Sequence, residues 1–185
     1  EYYFDANGRW SSKMRQPEPD YTHHCFVVAL AARQFFQHAR FDPVQAKADE
    51  FFFPHGRERN KIRVVIHPGA RRKVRRWPME RFGEIASRLK KKYGAEIFLV
   101  AGPGEEDLLA EAVEYSGGAV AFKGSGLSLI QLAALLKRCD LYLGNDTGSS
   151  HVAAVTGIRM ITLFGPQYPH RWAPYTKKGL VVFKN

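Results

Sequence analysis

Leu141-Tyr-Leu-Gly-Asn-Asp-Thr-Gly-Ser-Ser-His-Val-Ala-Ala-Val-Thr-Gly157 decides how the rest of the chain is read. Leu141 to Leu143 is short and apolar, which suits a strand covered on both faces of a parallel sheet. Gly144-Asn145-Asp146-Thr147-Gly148 then predicts a polar turn, and Val152, Ala153, Ala154 and Val155 supply the apolar face of a helix over Ser149 to Thr156. Such a strand-turn-helix leaves the first backbone N–H groups of the helix unpaired, with the positive end of the helix dipole behind them. It is a place for an anion, most often a phosphate. Thr147 can cap the helix or donate to a phosphate oxygen, and the glycines let the backbone approach a ligand. A plain cap at Asp146 or Thr147 is the competing reading.

Outward from this stretch the pattern is regular. Arg63-Val-Val-Ile-His67, Glu96 to Ala101, Ala119 to Phe122, Arg159 to Phe164 and Leu180 to Phe183 read as further strands. Between them lie helical patterns: one after Pro78 closed by Gly94, one from about Glu105 to Tyr115, and one to Arg138 opened by a Ser128/Gln131 capping box. Alternation at this interval predicts βαβ units: an α/β, Rossmann-like parallel sheet of about six strands with helices on both faces. Ligands of such sheets bind outside the carboxyl ends of the strands. Five glycine-bearing loops gather there, at His67 to Ala70, Gly102 to Glu105, Gly124 to Gly126, Gly144 to Gly148, and Gly165-Pro166.

Residues 1–56 are less regular. Glu1 to Asp5 predicts a strand, Arg15 to Tyr21 a proline-bearing linker, and Thr22 to Arg40 one amphipathic helix ended by Asp42-Pro43. This is too little for a second core, so it is expected to pack on a main domain of residues 57–185. The chain opens on Glu1 rather than Met, which points to a piece of a longer protein.

The 185 residues carry a formal net charge of +10, unevenly placed. Arg57 to Lys92 holds fourteen Lys/Arg against three Glu. A field of that sign draws polyanions: nucleic acid, an anionic lipid surface, a phosphorylated glycan or a nucleotide. A solvated face without a partner is the bland alternative, and a nucleic-acid or anionic-surface binding module without catalysis is the second functional class. Against nucleic acid, aromatics are not interleaved with the basic run as stacking platforms. The longest apolar run, Phe26 to Ala32, is far short of a bilayer span. Cys25 and Cys139 form no disulfide framework, which points to a reducing compartment, the cytoplasm. No G-x-G-x-x-G turn follows the first strand, which disfavours a dinucleotide oxidoreductase.

Several residues invite chemistry. Arg71, Arg72, Lys73, Arg75 and Arg76 can neutralise a diphosphate or simply be solvated. Glu105, Glu106 and Asp107 can accept from ribose hydroxyls or merely suit a helix N-terminus. His151 pairs with no Ser or Cys nucleophile, so it reads more readily as a packed helix residue than as a base. His23-His24 lacks further ligands, and no metal is expected.

His67-Pro-Gly69-Ala70, Arg76-Trp77-Pro78-x-x-Arg81-Phe82, Gly144-Asn-Asp146-Thr147-Gly148-x-x-His151-x-Ala153-Ala154, Leu163-Phe-Gly-Pro166 and Arg171-Trp-x-Pro-Tyr175, in this order, resemble glycosyltransferase family 9. These are the ADP-heptose:lipopolysaccharide heptosyltransferases and their relatives. The resemblance covers about Lys61 to Tyr175 and implies the C-terminal half of a GT-B enzyme, two Rossmann-like domains with the nucleotide sugar held by the second. Residues 1–56 would then be a remnant of the N-terminal acceptor domain and a linker. By the resemblance Thr147 and Gly148 contact the diphosphate, Asp146 the heptose hydroxyls, Arg75 the phosphate and Glu105 the ribose. Gly69 and His151 join them as donor-side motif residues. The implied donor is ADP-heptose, with no cofactor. The implied acceptor is the lipopolysaccharide lipid A core, met from the cytoplasm at the inner membrane face, and the catalytic base belongs to the N-terminal domain. Two departures stand out: Arg75 where the family often has Lys, and Ser149 where Pro commonly follows the glycine.

Overall fold

The computed structural model describes residues 3–4, 10–11, 41–53 and 60–183. The helix expected over Thr22 to Arg40 lies outside them. In chain order the elements are β1 (Tyr3–Phe4), β2 (Trp10–Ser11), α1 (Phe41–Phe52), β3 (Arg63–His67), a 3-10 turn (Lys73–Arg75), α2 (Met79–Tyr93), β4 (Glu96–Ala101) and α3 (Glu106–Tyr115). There follow β5 (Val120–Ser125), α4 (Leu129–Leu136), β6 (Leu141–Asn145), α5 (Gly148–Thr156), β7 (Arg159–Phe164), α6 (Pro169–Trp172) and β8 (Gly179–Phe183).

The strands form a single sheet in the order β2-β1-β8-β7-β6-β3-β4-β5. The six strands read from the sequence are all parallel, β1 joins β8 in parallel, and β2 pairs antiparallel with β1 at the edge. From β3 the chain winds outward through β4 and β5, then returns to β6 on the other side of β3. That reversal puts a topological switch point between β3 and β6, where open α/β sheets open their ligand crevice.

Alternation along the strands divides the core. Val65, Phe98, Val100, Tyr142 and Met160 face α1, α4 and α5, burying Phe52, Leu135, Leu136 and Ala153. Val64, Ile66, Ile97, Leu99 and Leu143 face α2 and α3, burying Phe82, Ala86 and Ala112. Both faces are covered, as a parallel sheet requires.

Three elements depart from or add to the sequence reading. First, α1, which the sequence reading did not contain, starts at Phe41 and runs through Asp42-Pro43, because a proline in the first turn lacks only an N–H that has no intrahelical acceptor; the helix these residues were expected to end lies outside the described residues. α1 docks through Ala48 and Phe52, and Arg138, just past the end of α4, reaches Asp49 at 2.5 and 2.8 Å. Second, β6 continues through Gly144 and Asn145, both paired with neighbouring strands, so the turn begins only at Asp146 and α5 at Gly148. Third, Gly124 belongs to β5, opposite Val100, rather than to a rim loop.

α2 and α3 approach through Gly83. A Cβ there would stand 2.4 Å from Tyr115 Cβ and 2.6 Å from its carbonyl carbon. Alanine gains about 1 kcal/mol over glycine inside a helix. Overpacking a fitted contact costs about 1–3 kcal/mol. Gly83→Ala is therefore expected to destabilise the fold, read as a lower urea midpoint with an unchanged slope; a rise would refute the close approach.

Candidate functional site

Four strand ends open into one cavity of about 490 Å³. Its wall comprises His67 from β3, Val100 to Glu105 after β4, Leu127, Leu129 and Leu132 after β5, Thr147 to Ser149 after β6, and Arg71 and Arg76 from the basic loop. The loop after β7 stays outside the wall and braces the 3-10 turn instead: a Cβ on Gly165 would lie 2.9 Å from the Val74 carbonyl oxygen.

The Thr147 side chain makes no capping bond to the helix, although its backbone stands at the N-cap of α5 with extended dihedrals. Its hydroxyl lies 2.7 Å from Ser149 Oγ and 3.4 Å from the Asn145 carbonyl. Asp146 does not cap either; its N–H donates to the Leu163 carbonyl at 3.0 Å and its carboxylate meets Arg75 Nη1 at 3.5 Å. The cap-only reading is thereby removed. What remains at the mouth of α5 is the set of first-turn N–H groups that helix geometry leaves over, with the exposed Gly148 in front.

Asn145, read from the sequence only as part of the polar turn, assembles the site. Its side chain is fully buried. Nδ2 donates to the Pro68 carbonyl at 2.7 Å, and Oδ1 accepts from the Trp77 N–H at 3.1 Å. The amide thus grips both ends of the basic loop and sets it beside Asp146. Only the end of an apolar strand, where a polar side chain must be buried, could have signalled this.

Gly69 and Glu105 come together in an unexpected manner. A Cβ on Gly69 would lie 1.9 Å from Glu105 Oε2, so the glycine is the space into which the carboxylate folds. Glu105 Oε2 also accepts from the Gly102 N–H at 2.9 Å. His67, the second residue missed, lies beside them in the wall, and burial lowers its pKa so that it is neutral at pH 7. Glu106 and Asp107 sit exposed in the first turn of α3.

Of the five basic residues, Arg71 and Arg76 line the cavity, with Arg76 Nε held by the Ala70 carbonyl at 2.6 Å. Arg75 lies outside the wall against Asp146, and its Nε is buried without a hydrogen-bond partner. Arg72 and Lys73 are exposed. His151 lies outside the cavity wall, kept neutral by burial. Lys90 to Lys92 end α2, which runs back from the ligand rim, so the basic segment is split between opposite edges of the sheet. Among the described residues no group of three or more His, Cys, Asp or Glu could hold a metal ion, and no helix is long and apolar enough to cross a membrane.

The family model for glycosyltransferase family 9 (heptosyltransferase) matches residues 16–185. Lipopolysaccharide heptosyltransferase 3 of Escherichia coli K12 is 30% identical over 118 residues, 62% of this chain and 34% of that protein. A glycosyl transferase family 9 structure from Veillonella parvula superposes with a TM-score of 0.69 at 28% identity, covering 75% of this chain and 40% of its own. Escherichia coli heptosyltransferase WaaC with ADP gives a TM-score of 0.60 at 25% identity over 74% of this chain and 42% of its own. The chain thus spans about a third of the length of that curated relative and about two fifths of these structures.

Asp146 is a charge held against its own stability. Burial raises its pKa, and Arg75 only partly opposes this. A carboxyl whose folded pKa lies above its unfolded value of 3.8 binds more protons when folded, so its ionisation destabilises the fold as pH rises through the folded pKa. Asp146→Asn is expected to unfold at an equal or higher temperature than the wild type at pH 7, with the difference closing below pH 4. A marked loss at pH 7 would show that the pair with Arg75 dominates instead.

Proposed function

The chain belongs to glycosyltransferase family 9, and from that membership we propose that it is the donor-binding unit of an inverting heptosyltransferase. In this reading it holds an ADP-sugar, ADP-heptose in the first instance, for transfer to a lipopolysaccharide core acceptor. The observation that carries the reading is the cavity itself: an uncapped helix N-terminus and two arginines converge on one space at the switch point. Amide donors and guanidinium groups aimed there favour a diphosphate, and favour it more once it leaves with an added charge. The occurrence of ADP in the solved WaaC complex supports the same assignment.

Thr147 and Gly148 then meet the diphosphate, with Arg71 and Arg76 flanking it. Asp146 and the Arg75 beside it, both outside the cavity wall, are assigned to the sugar hydroxyls and to a phosphate oxygen. Glu105 takes the ribose beside neutral His67. Because Glu105 already accepts from Gly102, its place is with the donor rather than as the base that deprotonates an acceptor hydroxyl. That base is assigned, as in the two-domain architecture of the family, to an N-terminal acceptor domain. No metal is needed, since helix and guanidinium groups meet the leaving charge. The site of action is the cytoplasm, peripherally at the inner membrane face where a lipid-anchored acceptor is reached.

Calorimetric titration with ADP and with an ADP-sugar tests this. Micromolar-range binding is expected, weakened about tenfold or more by Arg75→Ala for both ligands and by Asp146→Ala for the ADP-sugar, in line with charged hydrogen bonds of about 1.5–3 kcal/mol. No nucleotide binding would remove the proposal. Binding to DNA or RNA that falls steeply with salt would install the polyanion reading in its place.

A further inference from the structure

Thr147 ends a row of three hydroxyls, two of which donor binding as described does not use. Tyr142, wholly buried on β6, places its phenol oxygen 2.8 Å from Ser149 Oγ. Ser149 Oγ lies 2.7 Å from Thr147 Oγ1. Thr147 and Ser149 are in the cavity wall; Tyr142 is behind it. Gly144 makes the room, since a Cβ there would stand 2.5 Å from the phenol oxygen.

We propose that Tyr142 and Ser149 are positioning residues that orient the Thr147 hydroxyl as a donor into the cavity, toward a diphosphate oxygen. The inference rests on the nucleotide-diphosphate reading of that cavity. Each hydroxyl carries one proton and can accept as well as donate, so the row can point either way. If it points inward, Thr147 donates to Ser149 and Ser149 to Tyr142, which leaves the buried phenol proton facing the Ser149 hydroxyl from which the phenol accepts. If it points outward, Tyr142 donates to Ser149, Ser149 to Thr147, and Thr147 needs an acceptor in the cavity. The Asn145 carbonyl, at 3.4 Å, is a poor one. An anionic oxygen in front of α5 completes the row, and its charge polarises all three bonds in the same sense. Burial raises the ionisation of Tyr142 well above its ordinary range, so its proton stays available to start the row. A proline at position 149 has no hydroxyl to relay, so the device belongs to chains with serine there.

The test is calorimetric titration of the whole chain with ADP, using Ser149→Ala, Ser149→Thr, Tyr142→Phe, Thr147→Val and the Ser149→Ala/Thr147→Val double variant. Ser149→Ala and Tyr142→Phe are each expected to weaken ADP about fivefold, the worth of one neutral hydrogen bond. Ser149→Thr restores the affinity, and Ser149→Ala costs nothing further once Thr147→Val is present. Thermal unfolding of the same variants reads loss of fold separately, and the affinity losses are expected at temperatures where each variant is still folded. Wild-type affinity in Ser149→Ala, or an undiminished loss in the double variant, overturns the relay while leaving the donor site standing. A wild-type chain that binds no ADP removes both.

Discussion

A single buried amide holds the site together. Asn145 ends β6 in the middle of the sheet, and its side chain spans from the Pro68 carbonyl to the Trp77 N–H, the two ends of the loop that carries the arginines. That loop has little apolar material of its own: Val74 is exposed, and Arg71, Arg72 and Lys73 face solvent. Without an internal anchor it would spread its charges over many conformations, and ordering them on ligand arrival would consume binding energy. Asn145 orders them in advance. The amide is needed rather than a carboxylate, because the Pro68 carbonyl requires a donor and the Trp77 N–H an acceptor from one side chain. A lost partner at either end would leave a buried polar group at a cost of about 1–3 kcal/mol.

From that anchor the electrostatics follow. Bringing Arg75 within 3.5 Å of Asp146 gives the buried carboxylate a counter-charge, but a long and partial one. Two guanidinium groups remain at the cavity, and the N-terminus of α5 adds a third positive influence. The balance at the cavity mouth is positive, while the one carboxylate of its wall, Glu105, is turned aside into the space left by Gly69. The centre therefore favours an anion, with Glu105 held to the flank.

Much of this was legible in the sequence. Every strand of the six-strand parallel core was visible, because a parallel strand is covered on both faces and reads as a short apolar run such as Val64 to Ile66 or Ile97 to Ala101. The Ser128/Gln131 box and the glycines at 94 and 157 marked helix ends through local chemistry, and both glycines adopt the left-handed conformation. The cavity position followed from topology alone. Other features depend on contacts between residues far apart in the chain and were hidden for that reason. Asn145 looked like turn material, although its partners lie 68 and 77 residues away. Likewise α1 went unread, since nothing local reports that it is pinned by Arg138, which follows α4.

The glycines show where reading by residue type stops being sufficient. Gly69, Gly83, Gly144 and Gly165 all lie where an added Cβ would meet another group within 3 Å, and none of the four has a positive φ. Conformational freedom is not their use; the absence of a side chain is. At position 69 the vacancy receives Glu105, at 144 the Tyr142 phenol, and at 165 the backbone of the 3-10 turn. These three glycines, which a sequence reading assigns to a ligand-hugging backbone, instead make room for other parts of the protein. In this site glycine acts one layer behind the chemistry. Gly148 and Gly104 differ: both are exposed, free of any contact at the Cβ position and in the cavity wall, so they leave the backbone open to whatever occupies the cavity.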